Sequence, residues 1–168
     1  DTPQIRDLQY LVTDGETFFD DERRGTESTT ECVDAAALGF QITNVAKNGL
    51  YTIHKTLIGH PYEDCVLLHT RMDAPEALSR LQLYVLCAPH LNIGGWHNNA
   101  EVIETNSGRV IVAFKGSTWM ALGATAPLRR CSCGYVGETD GWTDLRDNFA
   151  MDWTYDAVVD GNIAVTAQ

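Results

Sequence analysis

The chain has 168 residues, of which 44% are hydrophobic and 21% are charged, a composition typical of one globular domain with a core of its own. The formal net charge is −11 at pH 7, so the surface repels phosphate backbones and anionic membranes, and neither nucleic acid nor a membrane is an expected partner. No stretch approaches the ~20 consecutive apolar residues that span a bilayer.

The first third of the chain is expected to contain two hairpins. Asp14-Gly15 lies at the centre of QYLVTDGETFF, and Asn48-Gly49 lies at the centre of FQITNVAKNGLYTIHKTLI. Each dipeptide accepts positive φ at both central positions of a turn, which favours a tight hairpin between short strands.

Two short helical segments interrupt the strand pattern. DAPEALSRL begins at Asp73, which is placed to cap a helix, and Pro75 lies early in the segment. TDLRDNF, around Asp144, is the second segment. Neither is long enough to organise the fold.

The remaining segments alternate with a period of two residues, as half-buried strands do. One face of LQLYVLC carries four apolar residues, Leu81, Leu83, Val85 and Cys87, and one face of RVIVAF carries Val110, Val112 and Phe114. Further turns are expected at Gly108, Gly116 and Gly161. Short strands with turn signals roughly every ten residues predict an all-β sandwich or barrel.

The cysteines do not form a recognisable framework. There are five, an odd number with scattered spacing: Cys32, Cys65, Cys87, Cys131 and Cys133. Cys65 and Cys87 lie in apolar runs and are expected to be buried thiols. Cys131 and Cys133 are one residue apart, which is not the spacing of a zinc site, and the histidines show no ligand spacing either. The first residues, DTPQIRDLQY, do not show the basic and apolar pattern expected of a secretory signal peptide, so the compartment (cytoplasmic, periplasmic or secreted) stays open.

One loop is acidic enough to consider calcium. Glu138, Asp140, Asp144 and Asp147 lie close together in the sequence, and carboxylate oxygens suit that ion. The register does not match an EF-hand loop, so a hydrated acidic turn is the preferred interpretation of Asp140 and Asp144, and no cofactor is expected.

No catalytic residue can be chosen from the pattern. Paired carboxylates hydrolyse glycosidic bonds, but among 23 Asp and Glu residues no motif selects a pair. A nucleophile elbow and a phosphate-binding glycine loop are both missing from the sequence.

The tryptophans are the remaining candidates for ligand contact, since indole rings stack on the C–H faces of sugars. Trp96, flanked by His97 and Asn98 in a glycine-rich loop, is the first choice, and Trp142 in TDGWTD is the second. Two further tryptophans lie in strand-like runs and are expected in the core, Trp119 and Trp153. For Trp96 a role in anchoring or domain docking is preferred to sugar binding, because large aromatic residues often anchor interfaces.

Four sequence blocks resemble a known family. DTPQIRDLQYLVTDGETFFDDERR, LYVLCAPHLNIGGWHNNAEV, GYVGETDGWTDL and WTYDAVVDGNIAVTAQ occur in that order. Together they resemble, over nearly the whole chain, the N-terminal domain of prokaryotic glucoamylases and glucodextranases of glycoside hydrolase family 15. The resemblance implies an antiparallel super-β-sandwich, here expected to be truncated at both ends, that precedes an (α/α)₆ barrel. That barrel holds the two catalytic glutamates of an inverting hydrolase, and no position of this chain matches them.

The function that the resemblance implies is that of a non-catalytic scaffold. Residues 1–168 are expected to be one domain that supports the catalytic (α/α)₆ barrel of the same parent chain, with the loops 94–99 and 138–145 at the docking surface or the rim of the substrate pocket. Substrate contact or docking is assigned to Trp96, His97, Asn98 and Trp142. An independent α-glucan-binding module is the alternative, and a small complete β-sandwich enzyme is the weakest reading. Strands left without neighbours would pair between copies, which predicts a homo-oligomer.

Overall fold

The alternating segments become strands in the computed structural model, which describes residues 2–168. These residues contain β1 (Ile5–Thr13), β2 (Phe19–Asp21), β3 (Thr26–Asp34), β4 (Gly39–Ala46), β5 (Thr52–Gly59), β6 (Val66–Asp73), β7 (Gln82–Pro89), β8 (Asn98–Thr105), β9 (Gly108–Lys115), β10 (Thr118–Leu122), β11 (Cys131–Tyr135), β12 (Ala157–Gly161) and β13 (Ile163–Ala167). Two α-helices accompany them, α1 (Glu22–Gly25) and α2 (Gly141–Asn148). The strands form three antiparallel sheets, and the predicted all-β sandwich architecture is confirmed.

The described chain divides into two compact units. Unit 1 contains the residues up to Asp20 together with Gln82–Gln168, and unit 2 contains Asp21–Leu81. The assignment of residues 1–168 to one domain stays a prediction. No helix in the described part, residues 2–168, is long and apolar enough to cross a membrane.

Unit 1 contains two sheets that face each other across a core. One has five strands in the order β11-β13-β7-β1-β2, and the other has four in the order β10-β9-β8-β12. The core between them is made by side chains from both sheets, among them Cys87, Ile111, Cys133 and Val165. Burial of this apolar surface is the main favourable term in the stability of the unit.

The outer face of the five-stranded sheet is covered as well. Leu145 of α2 and Met151 pack there against Leu11, Tyr84 and Ala164. Strand β7 is therefore buried on both faces, whereas the sequence pattern had singled out only one of them.

In β9 the face that carries Val110, Val112 and Phe114 is directed away from the core. Ile111 and Ala113 are buried between the sheets, while Val110, Val112 and Phe114 lie half-buried on the opposite face. Alternation alone identified the two faces of this strand correctly but did not say which one meets the core.

The hairpin at Asp14 is longer than predicted. β1 and β2 are neighbours joined by residues 14–18, and Gly15 has φ +83° while Asp14 does not have positive φ. The carboxylate of Asp14 instead accepts hydrogen bonds from the backbone N–H groups of Glu16, Thr17 and Phe18 at 3.0, 2.8 and 2.9 Å. The prediction of a two-residue turn was wrong because the Asp14 side chain organises a wider loop.

The other predicted turns have mixed outcomes. The hairpins at Asn48-Gly49, Gly108 and Gly116 are confirmed: β4 pairs with β5, β8 with β9, and β9 with β10. At Gly161 the prediction of a hairpin was wrong, because the chain passes there from β12 in the four-stranded sheet to β13 in the five-stranded sheet. Gly161 permits this crossing by close approach, since a Cβ there would lie 2.4 Å from Cε1 of Tyr135.

Both predicted helical segments form, but the first lacks the cap expected from Asp73. Asp73 ends β6 instead of capping a helix, and only a single 3₁₀ turn, Glu76–Leu78, follows Pro75. Around Asp144 the predicted helix is confirmed as α2, with Asp140 as its N-cap.

Unit 2 is a four-stranded meander in the order β3-β4-β5-β6. The short helix α1, which the sequence pattern did not indicate, is capped by the Asp21 carboxylate. Glu22 of α1 is buried in an ion pair with Lys55, whose Nζ lies 2.5 Å from Oε1, and also accepts a hydrogen bond from Asn44. These contacts fasten α1 to its own sheet.

Candidate functional site

The loop between β7 and β8, which carries Trp96, is built around Asn98. This side chain is fully buried. Its oxygen accepts a hydrogen bond from the N–H of Leu91 at 3.0 Å, and its amide nitrogen donates to the carbonyls of Gly94 and Gly95 at 2.8 Å each. Asn98 was predicted to contact substrate or a docked domain. In the structure its buried side chain stabilises the loop through hydrogen bonds to the loop backbone.

Trp96 lies at the surface of this loop with 69% of its area exposed. Three non-glycine residues of the loop have positive φ, namely Asn92, Ile93 and His97, a conformation that persists only where surrounding contacts enforce it. One such contact is the side chain of Asn92, which donates to the carbonyl of Lys115 and accepts from the hydroxyl of Thr118. The sequence-based choice of Trp96 as an exposed aromatic residue agrees with its position.

His97 forms an exposed pair with Asp160 of β12. Nδ1 of His97 lies 2.6 Å from Oδ1 of Asp160, and both side chains are largely exposed. The backbone N–H of Asp160 also donates to Oδ1 of Asn99 at 3.0 Å. A pair this exposed contributes little to stability, and polar atoms of both side chains are open to solvent.

Trp142 occupies a different environment on α2. It is half-buried against the edge of Phe19, with ring centroids 5.9 Å apart, and the guanidinium of Arg146 lies 5.0 Å from the centroid of its ring. Trp142 also packs beside the cluster that contains Leu145 and Met151. Its indole therefore anchors α2, and Trp96 lies on a separate element of unit 1.

The expectation that Trp119 lies in the core was wrong. It is 61% exposed and stacks on Phe114 with ring centroids 4.7 Å apart and planes 20° apart. β10 pairs only with β9 at the edge of its sheet, and its Met120 and Leu122 pack toward the core while Trp119 points outward. Trp153, also expected in the core, is half-buried and lies outside the strands.

The carboxylates considered for calcium have protein partners. Asp140 accepts hydrogen bonds from the N–H groups of Thr143 and Gly137 at 2.8 and 3.0 Å. Asp144 is fully buried and accepts from Asn148 and from the backbone N–H of Trp153. Within residues 2–168, no group of three or more His, Cys, Asp or Glu side chains is arranged to hold a metal ion.

All five cysteines, each within the described part of the chain, are free thiols. Burial raises the pKa of Cys87 and of Cys133 to about 12, so both stay protonated and unreactive at neutral pH. Cys65 is exposed, as is Cys32, and the expectation that Cys65 is buried was wrong. Its apolar run forms the end of a loop and the start of the outer strand β6 of the unit 2 sheet.

Unit 2 contains a polar cavity that the sequence reading missed. Its volume is about 290 Å³, and it is lined by Gln41, Ile42, Thr43, His54, Lys55, Thr56, His69 and Arg71. The register of three strands brings these residues together, since Thr43 lies opposite His54 and His54 opposite Arg71. The Asp73 carboxylate contacts two of these side chains, at 3.3 Å from Nε2 of His54 and 2.8 Å from Nη2 of Arg71. No carboxylate lines the cavity itself.

Comparison with known proteins gives consistent findings. A family model described as "Glucodextranase, domain N" matches residues 1–168. A glucoamylase from Clostridium sp. (strain G0005) is 29% identical over 169 residues, which cover 100% of this chain and 24% of the glucoamylase. The crystal structure of a bacterial glucoamylase complexed with acarbose superposes with a TM-score of 0.94 at 28% identity, covering 99% of this chain and 25% of that one. This chain thus spans about a quarter of the length of these relatives.

Proposed function

Because this chain belongs to the glucodextranase N-domain family, as its four sequence blocks had implied, we propose that it is a non-catalytic scaffold domain of a glucoamylase-type α-glucan hydrolase. The parent enzyme would be a glucan 1,4-alpha-glucosidase or a glucodextranase. The partner of the scaffold would be the catalytic (α/α)₆ barrel of the same parent chain. The observation that carries the proposal is the alignment of the entire chain with only a quarter of a glucoamylase.

Two carboxyl groups of the chain, Asp14 and Asp147, are unsuited to acid catalysis. A glycosidase needs a general acid whose pKa is raised, so that it holds a proton at working pH. Hydrogen bonds from Thr17, Glu16 and Phe18 instead hold the pKa of Asp14 well below its usual range, and the hydrogen bond from Arg146 lowers the pKa of Asp147. Both groups are proton acceptors held in the ionised form, which is the opposite of what acid catalysis requires.

The loop 94–99 is the best-formed docking candidate. Its backbone is fixed by Asn98 and Asn92, so Trp96 is presented without a large loss of conformational entropy on docking. Large aromatic side chains held in this way are common anchors of interfaces. The loop 138–145 offers the partly exposed Trp142 as a second contact.

The docking role is tested in the full-length hydrolase. Trp96→Ala and Trp142→Ala are each expected to lower the melting temperature of the full-length enzyme. Trp142→Ala also loses packing against Phe19 within unit 1. Trp96→Ala should leave the melting temperature of the isolated 168-residue chain unchanged, because its side chain is 69% exposed there. Tyr62→Ala, at an 89% exposed residue of unit 2, is the matched control. Unchanged activity and melting temperature for Trp96→Ala in the full-length enzyme would contradict docking through the loop 94–99, and glucose release by the isolated chain would contradict the non-catalytic role.

A second candidate function is α-glucan binding by this chain itself. The exposure of two tryptophans, Trp96 and Trp119, favours it. Isothermal titration of the isolated chain with maltoheptaose separates the two functions, since a pure scaffold gives no heat beyond dilution.

A further inference from the structure

The buried ion pair of unit 2 has a third member, a side-chain amide. Oε1 of Glu22 contacts Nζ of Lys55 at 2.5 Å and also accepts a hydrogen bond from Nδ2 of Asn44. The side chains of Glu22 and Lys55 are 6% and 11% exposed, and Asn44 is 2% exposed. One carboxylate oxygen therefore lies between an amine and a carboxamide that are both shielded from water. We call Glu22, Asn44 and Lys55 the buried triad.

The strand register places the amine and the amide on one face of the sheet. In the pairing of β4 with β5, Asn44 lies opposite Ile53 and Lys55 lies opposite Ile42. Asn44 and Lys55 are thus diagonal neighbours, a separation that a long side chain spans. Because both nitrogen atoms contact the same oxygen of Glu22, they lie within about 6 Å of each other. A small movement of the lysine side chain brings Nζ against Cγ of Asn44.

Local contacts fix the carboxylate above this face. The Asp21 side chain caps α1 by accepting a hydrogen bond from the N–H of Arg24 at 2.8 Å, and the hydroxyl of Thr26 donates to the carbonyl of Glu22 at 2.6 Å. Ile53, on the same face, is fully buried. A carboxylate held in contact with both nitrogens can carry protons from one to the other.

We propose that the buried triad forms an intramolecular isopeptide bond between Nζ of Lys55 and Cγ of Asn44, with Glu22 as the proton carrier. The reactants are the three side chains alone. The bond would fasten β4 covalently to β5. The proposal goes beyond the scaffold role and does not depend on it.

The reaction balances without an oxidant or a cofactor. Transfer of one proton from the ammonium of Lys55 to Oε1 of Glu22 leaves a neutral amine, whose lone pair attacks Cγ of Asn44 while the carbonyl electrons move to Oδ1. When these electrons return, the Cγ–Nδ2 bond breaks, and Nδ2 takes the proton held by Glu22 and leaves as ammonia. The surplus proton on Nζ passes through Glu22 to the ammonia. The products are an amide, an ammonium ion and the original carboxylate.

Burial favours this reaction over a persistent ion pair. Exclusion of water removes the competing hydrolysis of the amide and the hydration that keeps an amine protonated. Holding the reacting groups together also raises their effective concentration far above that of free molecules. Chain that has not reacted keeps the ion pair between Glu22 and Lys55, so the contribution of that pair to stability is measured on the unreacted species.

The test is intact-mass spectrometry of the 168-residue chain, denatured after incubation at neutral pH. Loss of ammonia should give a species lighter than its sequence by about 17 Da. Tryptic digestion should yield residues 25–47, which contain Asn44, joined to residues 48–71, in which Lys55 is no longer cleaved. The same joined peptides should appear in a digest of the full-length hydrolase.

Three variants identify the groups that react. Lys55→Arg keeps a cation beside Glu22 but has no attacking amine, and Glu22→Gln keeps the shape of the side chain but cannot carry the proton. Both should retain the full mass of their sequences. Lys47→Arg, at an exposed lysine of the same unit, is the matched control and should still lose about 17 Da. Circular dichroism checks that each variant is folded, and if Lys55→Arg is not, Glu22→Gln provides the comparison.

Two results would overturn the proposal. The first is a folded wild-type chain that keeps the full mass of its sequence and gives no joined peptides after prolonged incubation. The second is an equal loss of mass in folded Lys55→Arg or Glu22→Gln, because the ammonia would then come from another amide, such as Asn48 beside Gly49. Neither result bears on the scaffold role, which the melting temperature of the full-length enzyme tests separately.

Discussion

The buried ion pair of unit 2 provides a quantitative test of how α1 is held to its sheet. The side chains of Glu22 and Lys55 are 6% and 11% exposed, and Nζ of Lys55 lies 2.5 Å from Oε1 of Glu22. Lys55→Met removes the main counter-charge and leaves a buried carboxylate beside Asn44. Removing one partner of a buried pair costs about 3–5 kcal/mol, because the remaining charge is still desolvated.

This loss is large relative to the total stability of a domain, which is about 5–15 kcal/mol. In a chain of this length it should lower the melting temperature by roughly 2–4 °C for each kcal/mol. Urea unfolding measures the change in free energy, and hydrogen exchange in β4 and β5 shows whether unit 2 carries it, since the two units need not unfold together.

Two further variants separate the charge effect from the loss of packing. Glu22→Gln combined with Lys55→Met removes both charges and should recover most of the stability, because replacing a whole buried pair is often close to neutral. Lys47→Met is the matched control, since Lys47 is an exposed lysine of the same unit whose Nζ donates to the carbonyl of Arg24, and it should change stability by less than about 0.5 kcal/mol. The reasoning fails if Lys55→Met alone costs less than about 1 kcal/mol, or if the double variant is no more stable than the single one.

Four other predictions follow from the contacts described. The pKa of Asp14 in the folded state lies below its ordinary value of 3.8, so the ionised carboxylate adds to the free energy of unfolding above pH 3.8, and this stabilisation is lost as the pH falls through the folded-state pKa. Melting curves should therefore show that the wild type is more stable than Asp14→Asn above pH 3.8 and that this difference disappears in more acidic buffer. Gly161→Ala forces a Cβ to within 2.4 Å of Cε1 of Tyr135 and should cost about 1–3 kcal/mol in urea unfolding. Iodoacetamide should label Cys32 and Cys65 in the native chain and the three buried thiols only after unfolding, which mass spectrometry counts. If the open sheet edges pair between copies, sedimentation of the isolated chain will show a concentration-dependent dimer, and a monomer at all concentrations would contradict that pairing.

Features that depend on neighbouring residues could be predicted from the sequence. The hairpins at Asn48-Gly49, Gly108 and Gly116 and the helix around Asp144 are set by turn chemistry and capping groups within a few residues. The family was recognised in the same way, because its sequence blocks are continuous segments. Trp96 was chosen correctly as an exposed residue, since the polar and glycine-rich residues around it are typical of a surface loop.

Features that depend on which strands pair with each other could not be predicted from the sequence. Trp119 was expected in the core because a strand pattern has two faces and its larger side chains are usually assigned inward, but β10 is an edge strand whose Met120 and Leu122 face the core instead. For the same reason, the alternation in β9 did not indicate that Ile111 and Ala113 face the core. At Gly161 the chain does change direction as predicted. It connects two sheets there instead of forming a hairpin, because β12 and β13 belong to different sheets.

The sequence by itself therefore determined the β class, most of the turns, α2 and the family, because hydrophobic period, turn residues and family blocks are all encoded over short segments. Only the tertiary structure shows the direction in which each strand face points, the burial of Glu22 with Lys55, the polar cavity of unit 2 and the exposed stack of Trp119 on Phe114. Each of these requires residues from separate strands to be brought into register, and a one-residue change of register would send every side chain of a strand to the opposite face.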